Sequence, residues 1–483
     1  MSWLPGPDIV GPSLAAEPVQ VSPRSTRRSG PSDGDDSRFP AGALAQKDKT
    51  GKKRAAADSP QRVVRPTVPV PQHDLKRLEE LGIRRYESQR LVLYTDLAPE
   101  LAQPLPPLMD QAYAAWEDYF GPLPADSGET PFQMIGYIMS DRALFREAGI
   151  LTDDIRIHLE GVFRRQVFWM NDQPLDYDRR HLMIHEGTHC FMVAFPNITN
   201  RHIWYMEGMA DLFRTHTTDA NGRSQFRVFP TDRQRFTGLG RTKVIEEEVR
   251  SRGPRRIEDV ATLTVNDFQN YDAYSWSWAL CAFLDGHPKY RERFRRMGGL
   301  VVGRNDLPLD LSQVFKQDWP EVSEEWLVFA GNVGYGYDIE RTVLDLRPGK
   351  VADPQGKPAQ TDVAANRGWQ NSGVLVEKGK TYRLQAAGKC VLAKEPKPWD
   401  SEPQGISFRY HGGQPLGKLL ATIRSASPEK KPPYTTMLQV MPIGRELQLT
   451  PDTTGTLYFR VNDFWNELGD NQGSYSVTIH REP

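Results

Sequence analysis

HLMIHEGTHC, residues 181–190, is the stretch on which the reading of this chain turns. Its centre is H-E-x-x-H. In a helix, residues four apart share a face, so His185 and His189 project side by side and can share one Zn²⁺. Glu186 stands beside them and can take a proton from a water that the metal activates. Chance yields such a five-residue match in about one chain in a hundred of this composition. A third ligand is needed to turn the pattern into a site.

WYMEGMADLF supplies one on a second helix, Trp204 to Phe213. Zinc in hydrolases takes three protein ligands and keeps a fourth position for water. Glu207 meets the first need. Asp211, four residues on, shares its face and can accept the other N–H of a ligating imidazole. His181 lies one turn before His185 and reads as a helix-start or surface histidine. Cys190 follows His189 directly, but adjacent helix residues diverge by about 100°, so it reads as core, as does Cys281.

Outward from this helix, the texture is α+β from residue 76 to about 340. DLKRLEELGIRRYES has helical spacing. RLVLYTD, PFQMIGYIM and GVFRRQVFWMND read as three strands, and LAPELAQPLPPLMDQAYAAWEDYFG as helix ending at Gly121. YSWSWALCAFLDG, HPKYRERFRRMGG and VSEEWLVFAG read as helices that pack on the strands. From residue 341 to 483 the segments are short, alternating and separated by Gly, Asp and Pro. That pattern predicts an all-β antiparallel sandwich. The loop between its last strands carries Asp463, Asp470 and Asn471, oxygen donors of the kind Ca²⁺ takes; an ordinary hairpin loop is the alternative.

Residues 1–72 differ from both. Their Ser, Pro, Gly and mixed charge cannot bury enough apolar surface to fold, so they read as a disordered tail. The basic cluster Lys52–Arg54 reads as solvated linker rather than an interaction patch. SLAAEP near the start has the small residues that end an export signal, so the chain is expected to be secreted, its start lying inside such a signal. With 61 basic and 62 acidic residues, nothing points to nucleic acid, and no apolar run reaches membrane-spanning length. Three cysteines imply no disulfide framework. Asn197-Ile-Thr199 forms a glycosylation sequon.

The first half resembles the gluzincin zinc peptidases, the clan of thermolysin and the aminopeptidase N-like enzymes, through His185-Glu186-x-x-His189 and Glu207-x-x-x-Asp211. The resemblance implies Zn²⁺ on His185, His189 and Glu207, Glu186 as general base and Asp211 behind the ligands. It also implies that GVFRRQVFWMND is the edge strand that aligns a peptide substrate. AYSWSWALCAFL resembles the segment in which a tyrosine steadies the oxyanion. Tyr274 is that candidate and Tyr271 the second; a core tyrosine is the alternative. The G-x-M-E-N exopeptidase segment is missing, so the expected activity is endopeptidase. The second half resembles the PA-I type galactophilic lectins. That resemblance implies Ca²⁺ held by side chains of Asp463, Asp470 and Asn471 and by the carbonyls of Glu467 and Leu392. Gln404 falls at a sugar-contacting position, whereas the family's sugar-binding histidine is replaced by Ser401, and the loop after Asp463 carries Phe464 and the bulky Trp465, free to stack on a sugar or to pack. The expected protein is a zinc-dependent peptidase acting on a protein or peptide, with a calcium-binding domain for carbohydrate. A catalytically vestigial scaffold or glycan-binding protein is the alternative, and a zinc hydrolase of non-peptide substrates a third.

Overall fold

The computed structural model describes residues 64–483, except 66–67, 129, 158–160, 196–201, 237–239, 304–309, 396 and 428, and except the side chains of 300–303. Of the tail expected over residues 1–72, residues 1–63, with the basic cluster and export-signal end, lie outside the described residues, as does the sequon at Asn197. Within 64–72 the expectation of disorder fails at Arg65, which is buried, bridges to Asp126 and donates its N–H to the Ala125 carbonyl. Everything described belongs to one compact unit, 62–483, of mixed α+β structure.

Helix α1 (Leu75–Glu80) leads into strands β1 (Arg84–Glu87) and β2 (Leu91–Thr95). The spacing predicts helix throughout this stretch, but Gly82 takes φ 77 and ends it, because a left-handed residue cannot continue a helix. Helices α2 (Pro99–Ala102) and α3 (Leu105–Phe120) are split at Gln103-Pro104 and stop at Gly121, as expected. β3 (Met134–Met139) and α4 (Arg142–Glu147) follow. GVFRRQVFWMND is a hairpin rather than one strand. β4 (Gly161–Arg164) and β5 (Val167–Asn171) are joined by Arg165-Gln166, with Arg165 at φ 54. A turn made by arginine and glutamine lacks the Gly or Asn that marks a hairpin in sequence.

These strands form one sheet in the order β1-β2-β3-β5-β4, leaving β4 at an edge. Every residue of β2 and β3 is buried, so both faces are covered. Leu91, Leu93, Met134 and Phe168 face α3 and the helical core; Tyr94, Ile135, Tyr137 and Trp169 face α1 and α4. The helical core then grows from α5 (Asp176–Val193), α6 (Ile203–Arg214), α7 (Arg241–Arg252), α8 (Ile257–Ala261), α9 (Tyr271–Gly286), α10 (Arg291–Gly303), α11 (Leu311–Phe315) and α12 (Trp319–Ala330). A small hairpin, β6 (His216–Thr218) with β7 (Ser224–Phe226), interrupts it after α6.

Beyond residue 349 the chain is β. One sheet runs Met441–Pro442, Leu419–Ser425, Gly455–Val461, Gln370–Val376 and Lys350–Val351. The other runs Asp400–Ser401, Tyr382–Val391, Gln472–Arg481 and Ala359–Ala364. Pairing is antiparallel except for Lys350–Val351. Leu457, Phe459 and Val461 from one sheet meet Leu384, Tyr475 and Val477 from the other. The alternate residues of Gly455–Val461 point the other way. Tyr458 joins the helical core and Arg460 lies 3.7 Å above the Trp465 ring. Trp369, Trp465 and Leu468 join the same core, so the sandwich and the helices share one apolar interior.

Candidate metal centre

Helix α5 is buried along most of its length, from Arg179 to Met192, Arg180 and Leu182 excepted. Asp176 and Asp178 in its first turn suit the positive end of the helix dipole. Helix α6 is buried from Trp204 to Arg214. Its close neighbour is α9. A Cβ at Gly208 would sit 2.6 Å from Cys281 Sγ and from the Ser277 carbonyl oxygen, so only glycine permits this crossing. The crossing fixes where α6 presents its carboxylates.

Three donor atoms then converge. His185 Nε2 and His189 Nε2 are 3.1 Å apart. Glu207 Oε2 lies 3.2 Å from His189 Nε2 and 3.3 Å from His185 Nε2. Ligands bonded at about 2.0–2.1 Å to a tetrahedral zinc are about 3.3 Å from one another. Two imidazoles and one carboxylate at this spacing fit a metal ion. Among the described residues this is the one such cluster of three or more. Phe163 of β4 stacks on the His189 ring at 4.5 Å.

Behind the ligands, Asp211 Oδ1 lies 3.0 Å from His185 Nδ1, which orients that ring. The same carboxylate is shared by two guanidiniums, Arg214 Nε at 3.0 Å and Arg241 Nε at 2.9 Å. Burial works to raise the Asp211 pKa, but Arg214 and Arg241, with His185, hold it well below the usual carboxylate range. Burial likewise opposes ionisation of Glu207, yet His189 and His185 bring it down to about 2. For His185, burial is outweighed by Asp211 and Glu207, which lift it to about 9. Glu186 goes the other way: burial raises its pKa, with the histidines only partly opposing. A Cβ at Gly161 would lie 2.7 Å from Glu186 Cδ, so β4 comes as near to this carboxylate as a backbone can.

The centre opens into a cavity of about 530 Å³. Tyr274 lines it, 6.4 Å from His185 between ring centroids, with Arg241 over its ring at 5.2 Å. Burial raises the Tyr274 pKa, so its hydroxyl stays protonated. Tyr271 is mostly exposed at the rim. His181 departs from the surface reading: it is buried and lines the cavity, because the face it shares with His185 points inward. Cys190 and Cys281 are fully buried in the core, and burial pushes both thiols up. Arg214, Arg241 and Gly161 have no counterpart in the sequence reading. Arg214, three residues after Asp211, carried a usable helical spacing; Arg241, on α7, carried none.

In the sandwich, Asp463 and Asn471 do meet. Asn471 Nδ2 donates to Asp463 Oδ2 at 2.9 Å and to the Ala365 carbonyl at 3.1 Å, leaving its buried Oδ1 without a partner among the described residues. Burial raises Asp463 to about 6. A buried carboxylate beside an unsatisfied carbonyl oxygen fits a cation. The Asp470 side chain is exposed in the same loop, the Glu467 carboxylate is clasped by Arg409 at 2.7 Å, and Leu392 is buried in the sandwich core. Gln404 is held by Arg445 and Glu402 in an exposed network. Trp465 packs on Tyr337 and Arg460 instead of facing solvent.

Fold and site together define a mixed α+β protein with a buried two-histidine, one-glutamate candidate metal centre and a β-sandwich. No protein-family model and no curated protein matches the chain. Among solved structures, the chain is similar to the EclA N-terminal domain, a PllA-like lectin, at 22% identity over 26% of this chain and 95% of that one, TM-score 0.20. It is also similar to AJLec from the sea anemone Anthopleura japonica, at 14% identity over 28% of this chain and 98% of that one, TM-score 0.17.

Proposed function

We propose that the chain is a zinc-dependent hydrolase of peptide bonds of the gluzincin kind, acting as an endopeptidase, with the sandwich as a calcium- and carbohydrate-type targeting module. The observation that carries the first part is the 3.1–3.3 Å triangle of His185, His189 and Glu207, with Glu186 beside it. Zinc at that triangle supplies Lewis acidity toward a water and a substrate carbonyl. Glu186 accepts the proton of the attacking water; its raised pKa suits it to hold that proton and pass it to the departing amine. The Tyr274 hydroxyl donates a hydrogen bond to the developing oxyanion. The free side of β4, which lines the cavity through Gly161–Phe163, offers backbone groups to an extended peptide.

Zinc content of the purified protein, with peptide-mixture hydrolysis measured with and without chelator, tests this. Glu186→Gln is expected to keep stoichiometric zinc and lose hydrolysis by about 10²-fold or more. Hydrolysis undiminished in that variant rejects the mechanism. Stoichiometric zinc with no hydrolysis of any peptide leaves a scaffold or glycan-binding protein, or a zinc hydrolase of non-peptide substrates.

A further inference from the structure

One wall of the metal cavity gathers two buried guanidiniums and a buried histidine around a single carboxylate. Arg214 and Arg241 are both buried and both line the cavity, yet they share a single carboxylate, Asp211. That carboxylate is wholly buried and already divided among His185 and the two guanidiniums. The ion-pair contacts run through Nε of each arginine at 2.9–3.0 Å, and among the described residues neither Nε nor either Asp211 oxygen makes an aligned hydrogen bond, so the shared carboxylate holds the pair by charge and not by a closed fork. A guanidinium has five N–H donors in a fork shaped to a carboxylate. His181 completes this wall. It is buried, lines the cavity, and has no hydrogen-bond partner on either ring nitrogen among the described residues. Burial takes its pKa well below the usual value, so it presents a neutral N–H. Helix α7 starts at the same wall, with Gly240 at φ 52 and, among the described residues, no side-chain cap on its first amides.

Buried cations and donors of this kind are stable when an anion meets them. His181 stands one helical turn, about 6 Å, before the ligand His185. That offset is about two residues of an extended peptide, within reach of a side chain or chain end next to the scissile bond. Asp178 lines the same cavity, two turns before His185, and is the carboxylate that would favour the opposite charge.

We infer that His181, Arg214 and Arg241 form a carboxylate-recognition pocket beside the metal centre, selecting substrates with an acidic side chain or a free C-terminal carboxylate adjacent to the cleaved bond. This rests on the zinc hydrolase reading and names its substrate class.

Metal-chelating peptide hydroxamates test it by calorimetry on the zinc-loaded full chain, without turnover. One set carries Asp, Asn or Lys next to the hydroxamate, with the C terminus amidated. A second carries Ala there, with the C terminus free or amidated. The expected result is binding tighter by about tenfold or more for a carboxylate over its amide. The Asp–Asn pair reports an acidic side chain, and the free–amidated pair a chain end. Arg241→Lys, which keeps charge but loses the fork, is expected to reduce that preference several-fold at unchanged zinc content. His181→Gln, which leaves the arginines in place, is expected to reduce it as well. Equal affinities for acid and amide, or a preference for Lys set by Asp178, overturn this inference alone. No hydroxamate binding at all overturns it together with the zinc hydrolase reading.

Discussion

Asp211 joins two guanidiniums and the His185 imidazole at one point inside the protein, and its removal has two separable consequences. In Asp211→Asn the guanidiniums of Arg214 and Arg241 lose the anion they share. Breaking a buried pair from one side costs about 3–5 kcal/mol, because the remaining charge stays desolvated. The ring of His185 also loses its orienting partner, which lowers metal affinity about 10–100-fold. Urea unfolding at fixed zinc and a competitive chelator titration measure the two effects independently. Wild-type stability with weakened zinc would show that the arginines find another anion. At this scale the sequence is most readable where chemistry obeys helical spacing. His185, His189, Glu207 and Asp211 meet as their i, i+4 offsets require. His181 and Arg241 were not readable. Whether a histidine faces solvent or a cavity depends on what packs over its helix, and Arg241 arrives from α7, about thirty residues along the chain from Asp211.

Among elements, β4 is the one whose position the chemistry depends on most. It is an edge strand, paired with β5 and packed on α5 through Phe163 against His189, and it passes directly over Glu186. Only the missing side chain of Gly161 allows this. In Gly161→Ala the new methyl collides with the Glu186 carboxylate, which is the movable partner, so the proposed base is displaced. Misplacing a reacting group by about 1 Å costs about 10²-fold in rate. Peptide hydrolysis is therefore expected to fall by that order while zinc content is unchanged. Parallel kinetics and metal analysis decide it; undiminished turnover would mean that Glu186 does not need its present position. Most helices and core strands were legible from periodicity, α5, α6 and α9 included. The β4–β5 hairpin was not, since arginine and glutamine make its turn. The α1–β1 switch was missed because one glycine, Gly82, overrides a helical pattern that continues past it. The close α6–α9 crossing was equally hidden. Gly208 reads as an unremarkable helix glycine until Ser277 and Cys281 are seen against it.

For the whole molecule, the change of texture near residue 341 announced the sandwich, but nothing in it announced a shared interior. Trp369, Tyr458 and Trp465 lie in the sandwich sequence yet complete the helical core. Arg460, buried over the Trp465 ring, donates to the Asp463 carbonyl at 2.6 Å, so the candidate cation site abuts this seam. A perturbation at Asp463 should consequently register in the unfolding of the entire 62–483 unit. The sign follows from its pKa, raised by burial to about 6 from an unfolded value near 3.9. The folded state binds the proton more tightly than the unfolded one. This group's contribution is fully present below about pH 4 and is lost as pH rises through 6, a change of about 3 kcal/mol by pH 7. Calcium favours the ionised carboxylate and should restore most of that stability at neutral pH. In Asp463→Asn the group no longer titrates. The bond from the Phe464 N–H or from Asn471 Nδ2 is weakened, but that cost is independent of pH. Urea midpoints in chelator, from pH 4 to 7, should show the variant gaining on the wild type as pH rises. Added calcium at pH 7 should reverse the gain by stabilising the wild type alone. A difference that stays flat across this range would mean that Asp463 ionises normally in the fold. A calcium response of equal size in both proteins would place the cation elsewhere.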